Sequence, residues 1–89
     1  MTHQIYNFHT DPGHGWIEVP MTELERLGIA SKISPYSYRK DETAFLEEDC
    51  DFAMFYQAKE ELGELVEYKT IHTNSDSFVR RLPRFSGAR

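Results

Sequence analysis

Residues 3–19 read HQIYNFHTDPGHGWIEV and predict a β-hairpin near the start of the chain. Residues 3–10 follow the period of two that is typical of a strand, so Tyr6 and Phe8 are expected on the face opposite His9. A turn follows, because Pro12 presets φ for a tight turn and the glycines on either side of His14 permit positive φ. The sequence WIEV that comes next predicts the returning strand.

A short helix is predicted directly after this hairpin. Thr22 and Glu25 have the spacing of a capping box, in which each side chain accepts a hydrogen bond from the other residue's backbone amide. Gly28 is well placed to end the helix in a left-handed conformation. We therefore expect a helix over residues 23–27.

A second hairpin and a longer helix come next. Residues 36–38 and 43–46 predict two strands on either side of a charged turn. Residues 49–62 have apolar side chains at helical spacing and a cluster of acids at the positive end of the helix dipole. Asp49 is the predicted N-cap and Gly63 the predicted stop. The expected core-facing residues are Phe52, Phe55, Tyr56, Lys59 and Leu62.

The element order β-β-α-β-β-α-β indicates the fold class. Residues 65–73 predict the last strand, and residues 77–82 fit either a strand or one helical turn before Pro83. Short hairpin connections favour an α+β domain, with a small antiparallel sheet and two helices packed on one face. We expect one domain over residues 1–85 and a flexible C-terminal tail at 86–89.

The composition favours a cytoplasmic domain. A chain of 89 residues with six Phe, five Tyr and one Trp can form one thin core, which leaves little room for a deep active site. Its single cysteine, Cys50, excludes an intramolecular disulfide and fits a reducing compartment. The sequence has no signal-peptide pattern and no apolar run of membrane-spanning length. It also has no nucleotide-binding or nucleophile motif, so no cofactor is expected and an enzyme is the less favoured class.

Charge is distributed unevenly along the chain. Residues 1–40 are balanced, residues 41–67 carry ten acids against Lys59, and residues 68–89 carry five bases against Asp76, for a net charge of −5. An acidic helix is most simply a solvated face. It also fits a surface that imitates nucleic-acid phosphates and occupies a basic groove on a host protein. The expected partner-binding residues are Glu47, Glu48, Asp51, Glu60, Glu61 and Glu64.

The basic C-terminal region supports an alternative function. Arginines there alternate with aromatic and aliphatic residues, a combination that can hold phosphates and stack on bases. The residues of this nucleic-acid-associated module would be Arg80, Arg81 and Arg84. The same arginines could instead form ion pairs with the acidic helix of the same chain. They could also form ion pairs with a second copy of the chain, so the charge distribution is compatible with a homodimer.

Two groups of side chains have the chemistry of metal ligands. His9, Asp11 and His14 surround the first turn, and a small metal-dependent enzyme would use them. Local hydrogen bonding in a rigid turn explains the same residues. The four carboxylates of residues 47–51 could bind Mg²⁺ or Ca²⁺, although the helix dipole already accounts for acids there. Neither group has the spacing of a metal-binding motif, so no metal site is predicted.

Four stretches resemble a group of small proteins encoded by phages, prophages and plasmids. They are FHxDPGHGWIEV at residues 8–19, ISxYSY at 33–38, FLEEDCD at 45–51 and HTNxDSFVRxLPR at 72–84. The resemblance covers nearly the whole chain and implies no catalytic residue. It implies an accessory binding protein that occludes or modulates host machinery, such as a defence nuclease bound by anti-CRISPR or anti-restriction proteins.

Overall fold

The predicted order of strands and helices is confirmed in the computed structural model, which describes residues 4–86. The predicted start of the first strand at His3 lies outside the described residues. Two 3₁₀ helices, Ala30–Lys32 and Phe78–Arg81, accompany the main elements. These elements are β1 (Ile5–Thr10), β2 (Gly15–Pro20), α1 (Met21–Arg26), β3 (Tyr38–Lys40), β4 (Thr43–Glu47), α2 (Asp51–Glu61) and β5 (Glu67–His72).

The strands form one mixed sheet in the order β3-β4-β2-β1-β5. The hairpins make β1–β2, β2–β4 and β3–β4 antiparallel, but β5 runs parallel to β1, with Ile5 opposite Glu67. The prediction of a purely antiparallel sheet is therefore wrong at this one edge. The physical reason is the connection, because a helix between two strands carries the chain back to the end at which the first strand began. Here α2 crosses the sheet between β4 and β5.

Both helices pack on one face of the sheet, as predicted. Ile17 of β2 and Leu46 of β4 point to this face and are completely buried against Leu24 of α1 and Phe55 of α2. Burial of each such side chain stabilises the fold by roughly 1.5–3 kcal/mol. Tyr6 of β1 meets the Phe55 ring edge-to-face, with 5.3 Å between ring centroids.

The opposite face is partly covered by residues 77–85, which we call the C-terminal strap. The strap contains the 3₁₀ helix, so the second of the two alternatives for residues 77–82, one helical turn, is confirmed. Ser77 Oγ caps this helix by accepting from Val79 N at 3.3 Å. A second apolar cluster forms beneath the strap, from Trp16, Tyr38, Phe45 and Val79, with Leu82 packed against it.

Local helix signals were only partly predictive. Gly28 and Gly63 both adopt φ of +73°, which confirms them as stops after the two helices. The capping box is wrong, because α1 begins at Met21 directly after β2 and has Pro20 as an N-cap without a side-chain hydrogen bond. Asp49 is likewise not a cap, because Cys50 occupies the N-cap position of α2 without such a bond.

The core face predicted for α2 is also only partly correct. Phe55 and Lys59 are buried and Phe52 is half-buried, whereas Tyr56 and Leu62 are exposed. No helix within residues 4–86 is long and apolar enough to cross a membrane. Ser86, the first residue of the predicted tail, is exposed and its carbonyl accepts from Arg39 at 2.8 Å. The remainder of that tail, residues 87–89, lies outside the described residues.

A cleft between the first turn and the C-terminal strap

The first turn is organised around the carboxylate of Asp11, which is completely buried. Its Oδ1 accepts from the amides of Gly13 and His14, both at 3.0 Å. Arg80 of the strap donates to both oxygens, from Nε at 2.6 Å and from Nη2 at 2.9 Å, and Ser77 N donates to Oδ2 at 2.9 Å. One side chain therefore fixes the turn and ties it to a segment almost seventy positions away.

The electrostatics of this pair follow from its contacts. The Arg80 guanidinium, assisted by the three backbone amides, holds the pKa of Asp11 well below its usual range despite burial. The carboxylate in turn raises the pKa of Arg80. Gly13 permits the approach, because a Cβ on this residue would lie 2.8 Å from Arg80 Nη2. The ion pair is therefore permanent at neutral pH.

Arg80 also places a cation over the indole of Trp16. Its guanidinium carbon lies 5.3 Å from the ring centroid, and Tyr38 meets the same indole edge-to-face at 6.1 Å. Trp16 is 2% exposed, and its Nε1 is the one buried side-chain nitrogen or oxygen within residues 4–86 that has no hydrogen-bond partner. A buried N–H without an acceptor typically costs about 1–3 kcal/mol.

Trp16 forms part of the wall of a cleft with a volume of about 330 Å³. The cleft lies between the first turn, the turn before α2 and the strap. The lining residues are His14, Trp16, Tyr36, Tyr38, Glu47, Asp49, Cys50, Arg80 and Arg84.

Three potential ligand groups meet on one side of this cleft. Atoms of His14, Glu47 and Asp49 all lie within 4.8 Å of one another, and they are the only such histidine, cysteine and acid group found in residues 4–86. His14 Nδ1 is 3.4 Å from Glu47 Oε2. The loss of water and the neighbouring charges of Asp49 and Glu47 raise the pKa of Glu48, and the loss of water raises that of Cys50 as well.

The ligand group predicted around the first turn, His9, Asp11 and His14, does not come together in the structure. His9 lies on the strap-covered face, where its Nε2 is 2.7 Å from Glu18 Oε1 and its ring meets Phe78 edge-to-face. The oxygens of Asp11 are occupied by the contacts described above. His14 is the only member of the set that faces the cleft, so His9, Asp11 and His14 do not form a common site.

The predicted partner-binding acids are dispersed rather than gathered on one face. Asp51 is 2% exposed and accepts from the backbone and hydroxyl of Ser34 and from the hydroxyl of Ser37, so it is a structural residue. Glu47 is buried in the cleft wall and Glu48 is half-buried beside it. Glu60 and Glu61 are exposed at the end of α2. The proposed surface is therefore smaller than the sequence indicated.

Glu64 belongs to an ion network that the sequence did not reveal. The Nζ of Lys59 donates to Tyr6 OH, Glu23 and Glu64, each at 2.9 Å, and Arg26 also donates to Glu64. Hydrogen bonds from Arg26 and Lys59 lower the pKa of Glu64 to about 2. The charged group of Lys59 on an otherwise apolar helix face was the available signal, because such a residue needs anionic partners when it is buried.

The C-terminal arginines have different roles from one another. Arg80 is bound to Asp11 as described. Arg84 lies over the Tyr38 ring at 5.0 Å and donates to the carbonyl of Pro35 at 3.3 Å. Arg81 is exposed. Two of the three residues predicted to contact nucleic acid therefore help to build the cleft.

The cleft brings nitrogen and carboxylate ligands close to two guanidinium groups and an unsatisfied indole N–H. Such a site can coordinate a cation and can also donate to an anionic or neutral acceptor. No family model, curated protein or solved structure matches the chain. The binding properties of the cleft are therefore argued from its own residues.

Proposed function

We propose that this chain is a small accessory binding protein that occludes or modulates a macromolecular partner of the host cell. The partner would be a protein with a basic groove, and a defence nuclease is one class with that property. The observation that carries the proposal is that exposed acids and exposed apolar side chains follow one another closely in sequence at the C-terminal end of α2.

This surface, which we call the α2 end patch, comprises Tyr56, Glu60, Glu61, Leu62 and Leu65. Tyr56 and Glu60 are one helical turn apart and therefore lie side by side on the outer face of α2. Leu62 and Leu65 are 56% and 76% exposed, which is a large exposure for side chains of this kind. Nothing within residues 4–86 covers them.

Apolar groups surrounded by charge are typical of protein-binding surfaces. The apolar side chains supply binding free energy when they are removed from water, and tyrosine is enriched among the residues that dominate such interfaces. The acids add attraction to a basic groove and accelerate the encounter. Glu60 and Glu61 fit this role better than Asp51, Glu47 and Glu64, because each of those three already has structural partners.

A charge-reversal pair tests the proposal. E60K/E61K changes the net charge by +4 within the patch, and the control E42K/D76K makes the same change at exposed positions elsewhere. Each tagged variant is incubated with nuclease-treated lysate of the natural host, and retained proteins are quantified by mass spectrometry. We expect one stoichiometric protein to be retained by the wild type and the control, and at least about tenfold less by E60K/E61K.

Equal retention by both variants would contradict the proposal, and so would a wild type that retains no protein. In a parallel incubation with untreated lysate, a partner that is lost on nuclease treatment would favour the nucleic-acid alternative through Arg80, Arg81 and Arg84. In that case binding should also weaken steeply with salt, because each phosphate contact releases counterions.

A further inference from the structure

We propose that the cleft contains a divalent transition-metal site whose protein ligands are His14, Glu47 and Asp49, with Zn²⁺ as the best-fitting ion. This site is separate from the α2 end patch, and the inference does not depend on the proposed function. It combines one residue from the first turn with the last residue of β4 and one residue from the turn before α2, so no single element contains the site by itself.

One separation between ligand atoms matches an edge of a tetrahedral coordination sphere. Zn²⁺ binds imidazole nitrogen and carboxylate oxygen at about 2.0–2.2 Å, and two ligands of a tetrahedron are then about 3.3–3.6 Å apart. His14 Nδ1 and Glu47 Oε2 are separated by 3.4 Å. That separation is long for a hydrogen bond but matches one edge of a zinc coordination tetrahedron, and an oxygen of Asp49 lies within 4.8 Å of both.

The ligands are oriented by hydrogen bonds that do not use the coordinating atoms. Asp49 N donates to Glu47 Oε1 at 2.9 Å, which leaves Oε2 directed at His14. The backbone of His14 is held by Asp11, which is itself fixed by Arg80. Such outer contacts lower the cost of ordering the ligands and are a regular feature of metal sites in proteins.

The indole of Trp16 forms part of the cleft wall beside these ligands. Its Nε1 is buried in the wall of the same cleft and has no acceptor among the described residues. Three protein ligands leave the fourth position of a tetrahedral ion open, and a water normally occupies it.

The choice of ion follows from the ligand types. Imidazole combined with carboxylates suits zinc and its neighbours in the first transition row, whereas Mg²⁺ and Ca²⁺ prefer oxygen ligands alone. Cys50 lines the cleft but does not belong to the three-residue group. We therefore assign three protein ligands and exclude the thiol from the coordination sphere.

Metal titration of the purified full chain tests the site. Trp16 is the only tryptophan, and its ring centroid lies 6.0 Å from that of His14, so its fluorescence reports on a nearby ion. After chelator treatment, we expect one Zn²⁺ per chain by calorimetry, quenching of Trp16 by Co²⁺, and a tetrahedral Co²⁺ absorption spectrum. A large excess of Mg²⁺ should not displace either ion.

Matched variants distinguish the site from general attraction to acids. H14A and D49N should each weaken Zn²⁺ binding at least about tenfold, because loss of a direct ligand costs no less than loss of an outer partner. The controls H72A and D76N remove the same side-chain types at exposed positions and should bind within twofold of the wild type. C50S should still take up one Zn²⁺ per chain and give the same Co²⁺ spectrum, because the thiol is not a ligand.

His14 and Asp49 are both exposed, so their variants should fold, and circular dichroism confirms this before each titration. The inference is overturned if the wild type binds no stoichiometric Zn²⁺. It is also overturned if Mg²⁺ competes on equal terms, if H14A and D49N bind as tightly as their controls, or if C50S loses the ion.

Discussion

A carboxylate removed from water is stable only when donors surround it, and Asp11 has five N–H donors from four residues. Its side chain is completely buried, and its partners come from its own turn and from the strap, which is distant in sequence. Removing one member of a buried ion pair leaves the other without compensation, which typically costs about 3–5 kcal/mol. A domain of this size has a total stability of only about 5–15 kcal/mol.

Asp11→Asn keeps the shape of the side chain but removes its charge and turns an amide donor towards other donors. We expect the thermal midpoint to fall by roughly 10–20 °C. Differential scanning calorimetry measures the fall in the thermal midpoint. Asp76→Asn, at an exposed position in the turn after β5, serves as the control. A midpoint within about 2 °C of the wild type would show that the Asp11–Arg80 pair contributes little.

The same substitution should change how stability depends on pH. The pKa of Asp11 is lowered in the folded state, so its contribution is present above about pH 4, where the unfolded carboxyl is ionised, and is lost as the pH falls further. Below pH 4 the wild-type unfolding free energy should fall more steeply than that of the variant, by up to about 1.4 kcal/mol per pH unit. Urea unfolding at pH 3 to 6 tests this, and parallel curves would contradict it.

At the scale of single elements, the sequence predicted what depends on neighbouring residues. Both hairpins, both helices and the glycine stops were predictable, because alternation, helical spacing and positive φ are local properties. The start of α1 was not predictable from local sequence. The Thr22-x-x-Glu25 pattern does not show that β2 continues directly into the helix. Pro20 ends that strand and begins the helix without a side-chain cap.

This difference gives a paired prediction for two hydroxyl residues. Thr22 is exposed within the first turn of α1, so Thr22→Ala should change the unfolding free energy by no more than about 0.5 kcal/mol. Ser77 is buried and caps the 3₁₀ helix of the strap, so Ser77→Ala should cost about 1 kcal/mol or more. Chemical denaturation measures the unfolding free energy of both variants. A larger loss for Thr22→Ala than for Ser77→Ala would contradict this prediction and would indicate that Thr22 does cap α1.

At the scale of the whole molecule, the determining contacts join residues that are far apart in sequence. Three contacts are of this kind. They are the parallel pairing of β5 with β1, the ion pair between Asp11 and Arg80, and the proximity of His14 to Glu47 and Asp49. No local pattern specifies such partners, so the sequence could identify candidate ligands but could not assemble the cleft. It also could not show that Asp51 would be buried.

The strap offers a test at this scale. A chain that ends at Asp76 lacks Val79 and Phe85, which are buried in the two apolar clusters, and leaves Asp11 without Arg80. The lost burial alone is roughly 3–6 kcal/mol, so we expect no cooperative unfolding transition in calorimetry. A chain that ends at Ser86 keeps every contact described here and should unfold as the full chain does. A stable domain ending at Asp76 would contradict the structural role of the strap.

Because residues 77–85 complete both the buried ion pair and the second apolar cluster, the order of synthesis matters for this domain. A ribosome releases the first hairpin early, but Asp11 meets Arg80 only after the strap has emerged as well. Folding is therefore completed after translation of the strap and not progressively along the nascent chain. A truncated translation product would present Trp16 and Phe45 to solvent, which makes it a substrate for chaperones and proteases rather than a partly active protein.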